Sequence, residues 1–146
     1  MPTSSKVKKQ LFQIPLTPAP GTIYELGSGW GTIAFILAKK YPLHRIEAYE
    51  TSWIPYYFCL LRKNFNKSSN LHFYRRNFYS VRLSNASMIF CYLFPAAMQR
   101  LLPKFHQELP QGCIVVSHTF ALPGSKPHLT IEVSDLYRTK IYVYHI

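Results

Sequence analysis

Ile23-Tyr24-Glu25-Leu26-Gly27-Ser28-Gly29-Trp30-Gly31 carries an apolar, strand-like run straight into three glycines. The residues that follow have helical spacing. Ile33, Ile36, Leu37 and Tyr41 fall at i, i+3, i+4 and i+8, and Pro42 ends the run. A strand, Thr22 to Leu26, therefore turns at the glycines directly into a helix. Glycine there permits a tight turn, positive φ and close approach of a ligand to backbone. The helix N-terminus adds unpaired N–H groups and a partial positive charge. In open α/β sheets such a crevice, at the carboxyl end of the first strand, is where nucleotides bind.

Working outward, Arg45 to Tyr49 reads as a second strand that ends at Glu50. Thr51 or Ser52 caps the next helix, and Pro55 is tolerated in its first turn. There Ile54, Tyr57, Phe58, Leu61 and Phe65 fall at i, i+3, i+4, i+7 and i+11, the clearest amphipathic pattern in the chain. Leu71 to Tyr74 is a short strand, and Ser87 to Leu93 is a continuous apolar run suited to a strand buried on both faces. A helix after Pro95 places Met98, Leu101, Leu102 and Phe105 on one side, and Cys113 to Ser117 is another buried strand. Leu129 to Val133 and Lys140 to Tyr144 are joined by a link too short for a crossover helix, so they form an antiparallel hairpin. The order β-α-β-α-β-β-α-β-β-β predicts an α/β fold: a Rossmann-like, doubly wound, mostly parallel seven-stranded sheet that closes on an antiparallel hairpin. Pro15, Pro18, Pro20 and Gly21 argue against a regular helix before the first strand. Residues 1–20 are thus expected to be an irregular basic lead-in, and 21–146 the domain itself.

The 146 residues suffice for one domain with a core, not for separate cofactor and substrate domains. A hydrophobic share of 48% excludes a disordered chain. The longest nearly uncharged apolar stretch, Ala86 to Met98, is shorter than the roughly 20 residues of a membrane span. No secretory leader is legible, which predicts a cytoplasmic location, with association to a membrane surface left open. Cys59, Cys91 and Cys113 are odd in number and lack CxxC spacing, so buried thiols are expected, with no disulfide framework and no metal site. The net charge is +11, from 17 Lys and Arg against 6 Asp and Glu. The cations are scattered with no arginine-rich arm, which fits a generally basic surface, an acidic partner or an anionic membrane better than a dedicated nucleic-acid site.

The glycine spacing narrows the ligand. A dinucleotide fingerprint, G-x-G-x-x-G, would have glycine where Thr32 stands; here the third glycine, Gly31, comes one residue early. Glu25 precedes the first glycine by two positions, where a carboxylate would repel a pyrophosphate but attract an ammonium group. No G-x-x-x-x-G-K-[ST] occurs, which excludes a P-loop nucleotidase. Glu50, 19 residues after Gly31 at the end of the second strand, is placed to accept hydrogen bonds from a ribose diol. Two of only six acids thus fall at the ends of the first two strands.

Glu-Leu-Gly-Ser-Gly-Trp-Gly (25–31) and Ile-Glu-Ala-Tyr-Glu (46–50) resemble the first two motifs of the class I methyltransferases that use S-adenosylmethionine. Within that superfamily the likeness is nearest to the small lysine methyltransferases of the ATP synthase c-subunit type and their prokaryotic relatives. It rests on Tyr-Glu-Leu-Gly-Ser-Gly (24–29), the Tyr-Glu-x-x-Trp run (49–53) into an aromatic helix, and Ile-Phe-x-x-x-x-Pro (89–95). The resemblance implies S-adenosylmethionine as cofactor and S-adenosylhomocysteine as product. It implies cofactor contacts from Glu25, Gly27, Ser28, Gly29, Trp30, Gly31, Glu50, Thr51, Asn77 and Phe78, and a methyl acceptor, expected to be a protein lysine, at Tyr92 and Pro95. Asn77 stands where the superfamily often has an acid for the adenine amine, and can accept that hydrogen bond. The fourth motif reads Cys91-Tyr92-Leu93-Phe94-Pro95 in place of N-P-P-Y, which argues against nucleic-acid adenine and glutamine acceptors. Trp53, Tyr56, Tyr57 and His118 are further candidates for the substrate side. The competing reading is a methyltransferase-like fold that binds cofactor, RNA or protein without turnover.

Overall fold

In a computed structural model that describes residues 3–146, the elements alternate as the spacing predicts. The strands are β1 (Thr22–Leu26), β2 (Arg45–Tyr49), β3 (Leu71–Tyr74), β4 (Ala86–Cys91), β5 (Ile114–His118), β6 (Leu129–Glu132) and β7 (Lys140–His145). The helices are α1 (Ser5–Gln13), α2 (Thr32–Lys40), α3 (Trp53–Asn66) and α4 (Pro95–Glu108). One seven-stranded sheet has the order β3-β2-β1-β4-β5-β7-β6. β1 to β5 pair in parallel, and β7 lies antiparallel between β5 and β6. The strand order reverses between β1 and β4, so the crevice above their carboxyl ends is the natural ligand site of such a sheet.

Side-chain alternation along the strands makes two cores. Met88 and Phe90 of β4 face the α2 side with Ile23, Ile46 and Val116. Ile89 and Cys91 face the α4 side with Leu26, Val115, Met98 and Leu101. All three cysteines are buried, and burial pushes each thiol up to about 12.

Three sequence expectations are corrected. The lead-in is not irregular throughout, because α1 occupies Ser5–Gln13. Its N-cap Ser4 accepts a hydrogen bond from the Val7 N–H at 3.3 Å, and Pro15, Pro18 and Pro20 all lie past its end. A nine-residue helix is marginal by itself; burial of Val7, Leu11 and Ile14 with Ile33, Leu37 and Tyr41 holds it on α2. The strand expected over Ser87–Leu93 stops at Cys91, which frees Tyr92, Leu93 and Phe94 to form the link into α4. The largest departure is the orientation of α3. Its buried residue is Cys59, whereas the apolar stripe Ile54, Tyr57, Phe58, Leu61 and Phe65 faces outward.

Candidate active site

The β1–α2 turn is built from left-handed backbone at Gly27 (φ 80°), Gly29 (φ 52°) and Gly31 (φ 78°). Gly31 N–H donates to the Ser28 carbonyl at 2.9 Å and closes the turn. The Gly27 and Ser28 N–H groups both donate to the Tyr49 carbonyl, at 3.0 and 2.9 Å, which ties the turn to the end of β2. Glu50 completes the clamp. One carboxylate oxygen accepts from Gly29 N–H at 2.8 Å and the other from Ser52 N–H at 2.9 Å. Glu50 therefore fixes the loop and the α3 entrance together, and each oxygen keeps a lone pair for a ligand donor.

Above this turn opens a cleft of about 610 Å³, lined by Glu25, Gly27, Ser28, Gly29, Trp30 and Tyr92 among the expected residues. Thr3, Thr32, Ile33, Phe58 and Arg62 line it as well. Trp30 stands half exposed at the rim with its ring edge-on to Phe58, centroids 5.2 Å apart. Tyr92, on the link after β4, packs edge-on against the ring of His118 at 4.3 Å. His118 is buried with an unpartnered Nε2, and burial lowers its pKa to about 4, so the imidazole is neutral near pH 7.

Two polar atoms at the cleft have no partner: Glu25 Oε2 and Ser28 Oγ, both on buried residues. Such groups are costly to leave unsatisfied. Burial pushes the Glu25 carboxyl well above the ordinary value of 4.5, a hydrogen bond from Ala34 N–H opposes this, and the Glu50 carboxylate adds to it. A raised folded-state pKa means that this group's contribution to stability is complete below pH 4.5 and is lost as pH rises through the folded value. Glu25→Gln removes that loss. In ligand-free protein, urea midpoints of wild type and Glu25→Gln are expected to diverge above pH 4.5, with the variant increasingly the more stable; parallel curves would exclude a neutral Glu25. A cation in the cleft would relieve the same penalty. The pair of orphaned oxygens, the glycine turn and the Glu50 clamp fit a ligand with an ammonium group and a ribose.

Gly31 and Glu50 shape the turn at the edge of this cleft without lining it, and the remaining expected residues lie farther out. Phe78 is half-buried, with its ring edge 3.9 Å from where a Cβ on Gly27 would sit. Asn77 is exposed and its side chain accepts from Tyr79 N–H at 2.9 Å, capping a short 3-10 turn. Thr51 is exposed, and its carbonyl accepts from Arg75 at 3.3 Å. Pro95 is exposed as the first residue of α4 and does not line the cleft. Trp53 and Tyr57 stack on each other at 5.6 Å with Arg75 over the Trp53 ring, outside the cleft. Arg62, which lies over the Phe35 ring at 4.4 Å, is the cation the spacing did not single out. No sequence signal marked it, since it is one of many scattered basic residues.

Comparison with known proteins identifies the family and the fold. The ANTKMT methyltransferase domain matches residues 25–129. A protein-lysine N-methyltransferase of Saccharolobus islandicus (strain REY15A) is 28% identical over 137 residues, covering 92% of this chain and 84% of that protein. The adenine nucleotide translocase lysine N-methyltransferase of Mus musculus is 31% identical over 109 residues, which span 74% of this chain but only 47% of the mouse protein. The crystal structure of an RNA methyltransferase from Salinibacter ruber, in complex with S-adenosyl-L-homocysteine, superposes with a TM-score of 0.80 at 25% identity, covering 100% of this chain and 94% of that one. With the reversed strand order, the terminal antiparallel strand and the acid-glycine turn all in place, the chain belongs to the ANTKMT methyltransferase domain family and is a class I methyltransferase.

Proposed function

We propose that this methyltransferase uses S-adenosylmethionine to N-methylate protein lysine. The observation that carries the cofactor reading is the pair of unpartnered oxygens, Glu25 Oε2 and Ser28 Oγ, beside the Glu50-clamped glycine turn. In this reading Glu25 and Ser28 receive the ammonium end, Glu50 the ribose hydroxyls, and Trp30 and Phe78 flank the cofactor. S-Adenosylmethionine supplies a sulfonium methyl, whose in-line displacement by a neutral amine leaves S-adenosylhomocysteine and an ammonium that sheds its proton to water. The chain's own work is alignment and desolvation. Lysine starts near pKa 10.4, and a weakly solvated aromatic wall lowers it. Trp30, Phe58 and Tyr92 form such a wall, and Tyr92 orients the amine through its hydroxyl or ring face. We assign residues 21–146 to the catalytic unit, and give Pro95 only the role of starting α4.

Lysine as acceptor draws on the names of the Saccharolobus and mouse relatives. RNA is the second reading, favoured by the name of the Salinibacter relative. Labelled methyl transfer into a cell extract separates them. Label removed by protease and recovered as methyl-lysine supports the first reading; label removed by ribonuclease supports the second. Tyr92→Ala is expected to lower kcat/KM for the lysine acceptor at least about tenfold, while S-adenosylhomocysteine affinity stays within about threefold. An unchanged rate would remove Tyr92 from the acceptor site.

A further inference from the structure

α3 packs Cys59, Tyr56 and Leu60 inward and leaves its stronger apolar stripe on the outside. Ile54 is 74% exposed, Leu61 59% and Phe65 81%, with Tyr57 and Phe58 beside them on the same outward stripe. A contiguous apolar strip of this kind on a soluble domain marks a contact surface. Its flanks are cationic. Arg62 and Lys63 lie on α3, Lys67 caps it, and Arg75 stands over the Trp53 ring.

Next to the stripe a groove of about 750 Å³ runs along the outer side of α2, between α1 and α3, and meets the active-site cleft at Thr32 and Arg62. This groove is larger than the active-site cleft. Lys8, Lys9, Lys39, Arg62 and Lys67 line it and no carboxylate does. Lys39 lies in the last turn of α2 and Lys67 caps α3, whereas Lys8, Lys9 and Arg62 are not at a helix C-terminus. The carbonyls ending α2 and its turn are served by Asn70, whose Nδ2 donates to Ala38, Tyr41 and His44, and Lys40 serves the carbonyls of Leu11 and Ile14. Among the described residues the ion pairs are Arg45–Glu47 and Lys104–Glu108, both away from the groove.

We infer that this side of the molecule docks on an anionic phospholipid bilayer, with the outer stripe of α3 in the interface and the groove over α2 holding phosphate headgroups. The pattern is that of an interfacial helix: aliphatic and aromatic residues on the outward side, basic residues flanking, Trp53 and Tyr57 at one end. Attraction to a negatively charged surface adds up over such cations, so several act together. Because Phe58 and Trp30 belong both to this side and to the cleft rim, docking would present the active site along the membrane plane. This inference stands on surface chemistry and does not depend on which acceptor is methylated.

Vesicle sedimentation of the whole chain at physiological salt tests it. Binding to vesicles containing phosphatidylglycerol is expected to be at least tenfold tighter than to phosphatidylcholine alone. Two double variants away from the active site are informative: Leu61→Ser with Phe65→Ser, and Lys8→Glu with Lys67→Glu. Each is expected to weaken vesicle binding at least tenfold while leaving the circular dichroism and S-adenosylhomocysteine affinity unchanged. Equal binding to both vesicle types, or no binding, overturns the proposal. So does loss in the charge variant alone together with displacement by inorganic phosphate, which would make the groove a soluble-anion site. A wild-type dimer in sedimentation equilibrium that Leu61→Ser with Phe65→Ser turns into a monomer would assign the stripe to a second copy of the chain, and also overturns it.

Discussion

Glu50→Ala is expected to raise the dissociation constant for S-adenosylhomocysteine by about 100-fold or more, equivalent to roughly 2.8 kcal/mol. The size follows from the two roles of one carboxylate. Its oxygens accept the Gly29 and Ser52 N–H groups at 2.8 and 2.9 Å, so they hold both the glycine turn and the entrance to α3. Hydrogen bonds to a charged group contribute about 1.5–3 kcal/mol each. Alanine removes both acceptors, releases the turn at Gly29 and deletes the proposed ribose contacts in the same step. Glu50→Gln keeps the volume but only one acceptor oxygen, and should fall between wild type and alanine. The control is fold integrity, measured by urea denaturation, with the titration run well below the variant's midpoint. Unchanged affinity in a folded Glu50→Ala protein would remove Glu50 from the ligand site.

Gly31→Ala is expected to destabilise the fold by about 2–5 kcal/mol, the sum of a left-handed backbone strain of about 1–2 and overpacking of about 1–3. Gly31 sits at φ 78°, and a Cβ there would lie 2.7 Å from Cys59 Sγ, 3.2 Å from Phe73 Cζ and 3.3 Å from Phe35 Cε2. Cys59 cannot swing aside, because it is fully buried on the inner side of α3 and its thiol donates to the Gly29 carbonyl at 3.4 Å. The third glycine therefore comes one residue early for a packing reason: α2 and α3 meet where Gly31 has no side chain. Against a typical stability of about 5–15 kcal/mol the loss is large. Gly29→Ala gives the contrast. Nothing lies within 4 Å of its Cβ position, so only the backbone strain at φ 52° remains, about 1–2 kcal/mol. Cys59→Ala in the Gly31→Ala background should recover part of the loss, a non-additivity that the shared contact requires. Equal destabilisation by the two glycine variants in urea melts would contradict this packing.

Most of the architecture was legible because periodicity and punctuation agree along the chain. β1 runs into glycine and β2 into an acid, α3 begins after Ser52 and α4 on Pro95, and the short link after Glu132 leaves no room for a crossover. Three features were not legible, each for a physical reason. Helix α1 is short and followed by prolines, and its stability comes from tertiary burial of Val7, Leu11 and Ile14, which local sequence does not report. In α3 the period identified a face but could not say what the face meets. The sheet contact needs only Cys59 with the half-buried Tyr56 and Leu60, and leaves the stronger apolar stripe outside. Arg62 reaches the cleft because α3 crosses beside the glycine turn, and nothing in its neighbours along the chain signals that approach. By contrast, Glu25 and Glu50 were readable because a carboxylate is rare in this chain and both stand at strand ends, and Ser28 because it lies within the glycine turn.

The central claim is that the β1–α2 turn, with Glu25 beneath it and Glu50 beside it, is the cofactor site. A crystal structure with S-adenosylhomocysteine tests it most directly. The account predicts the ligand in the cleft of about 610 Å³, its ammonium group within hydrogen-bond distance of Glu25 Oε2 or Ser28 Oγ and its ribose hydroxyls on Glu50. Ligand in the basic groove over α2 instead, or a ribose directed away from Glu50 with both buried oxygens still unpartnered, would contradict it.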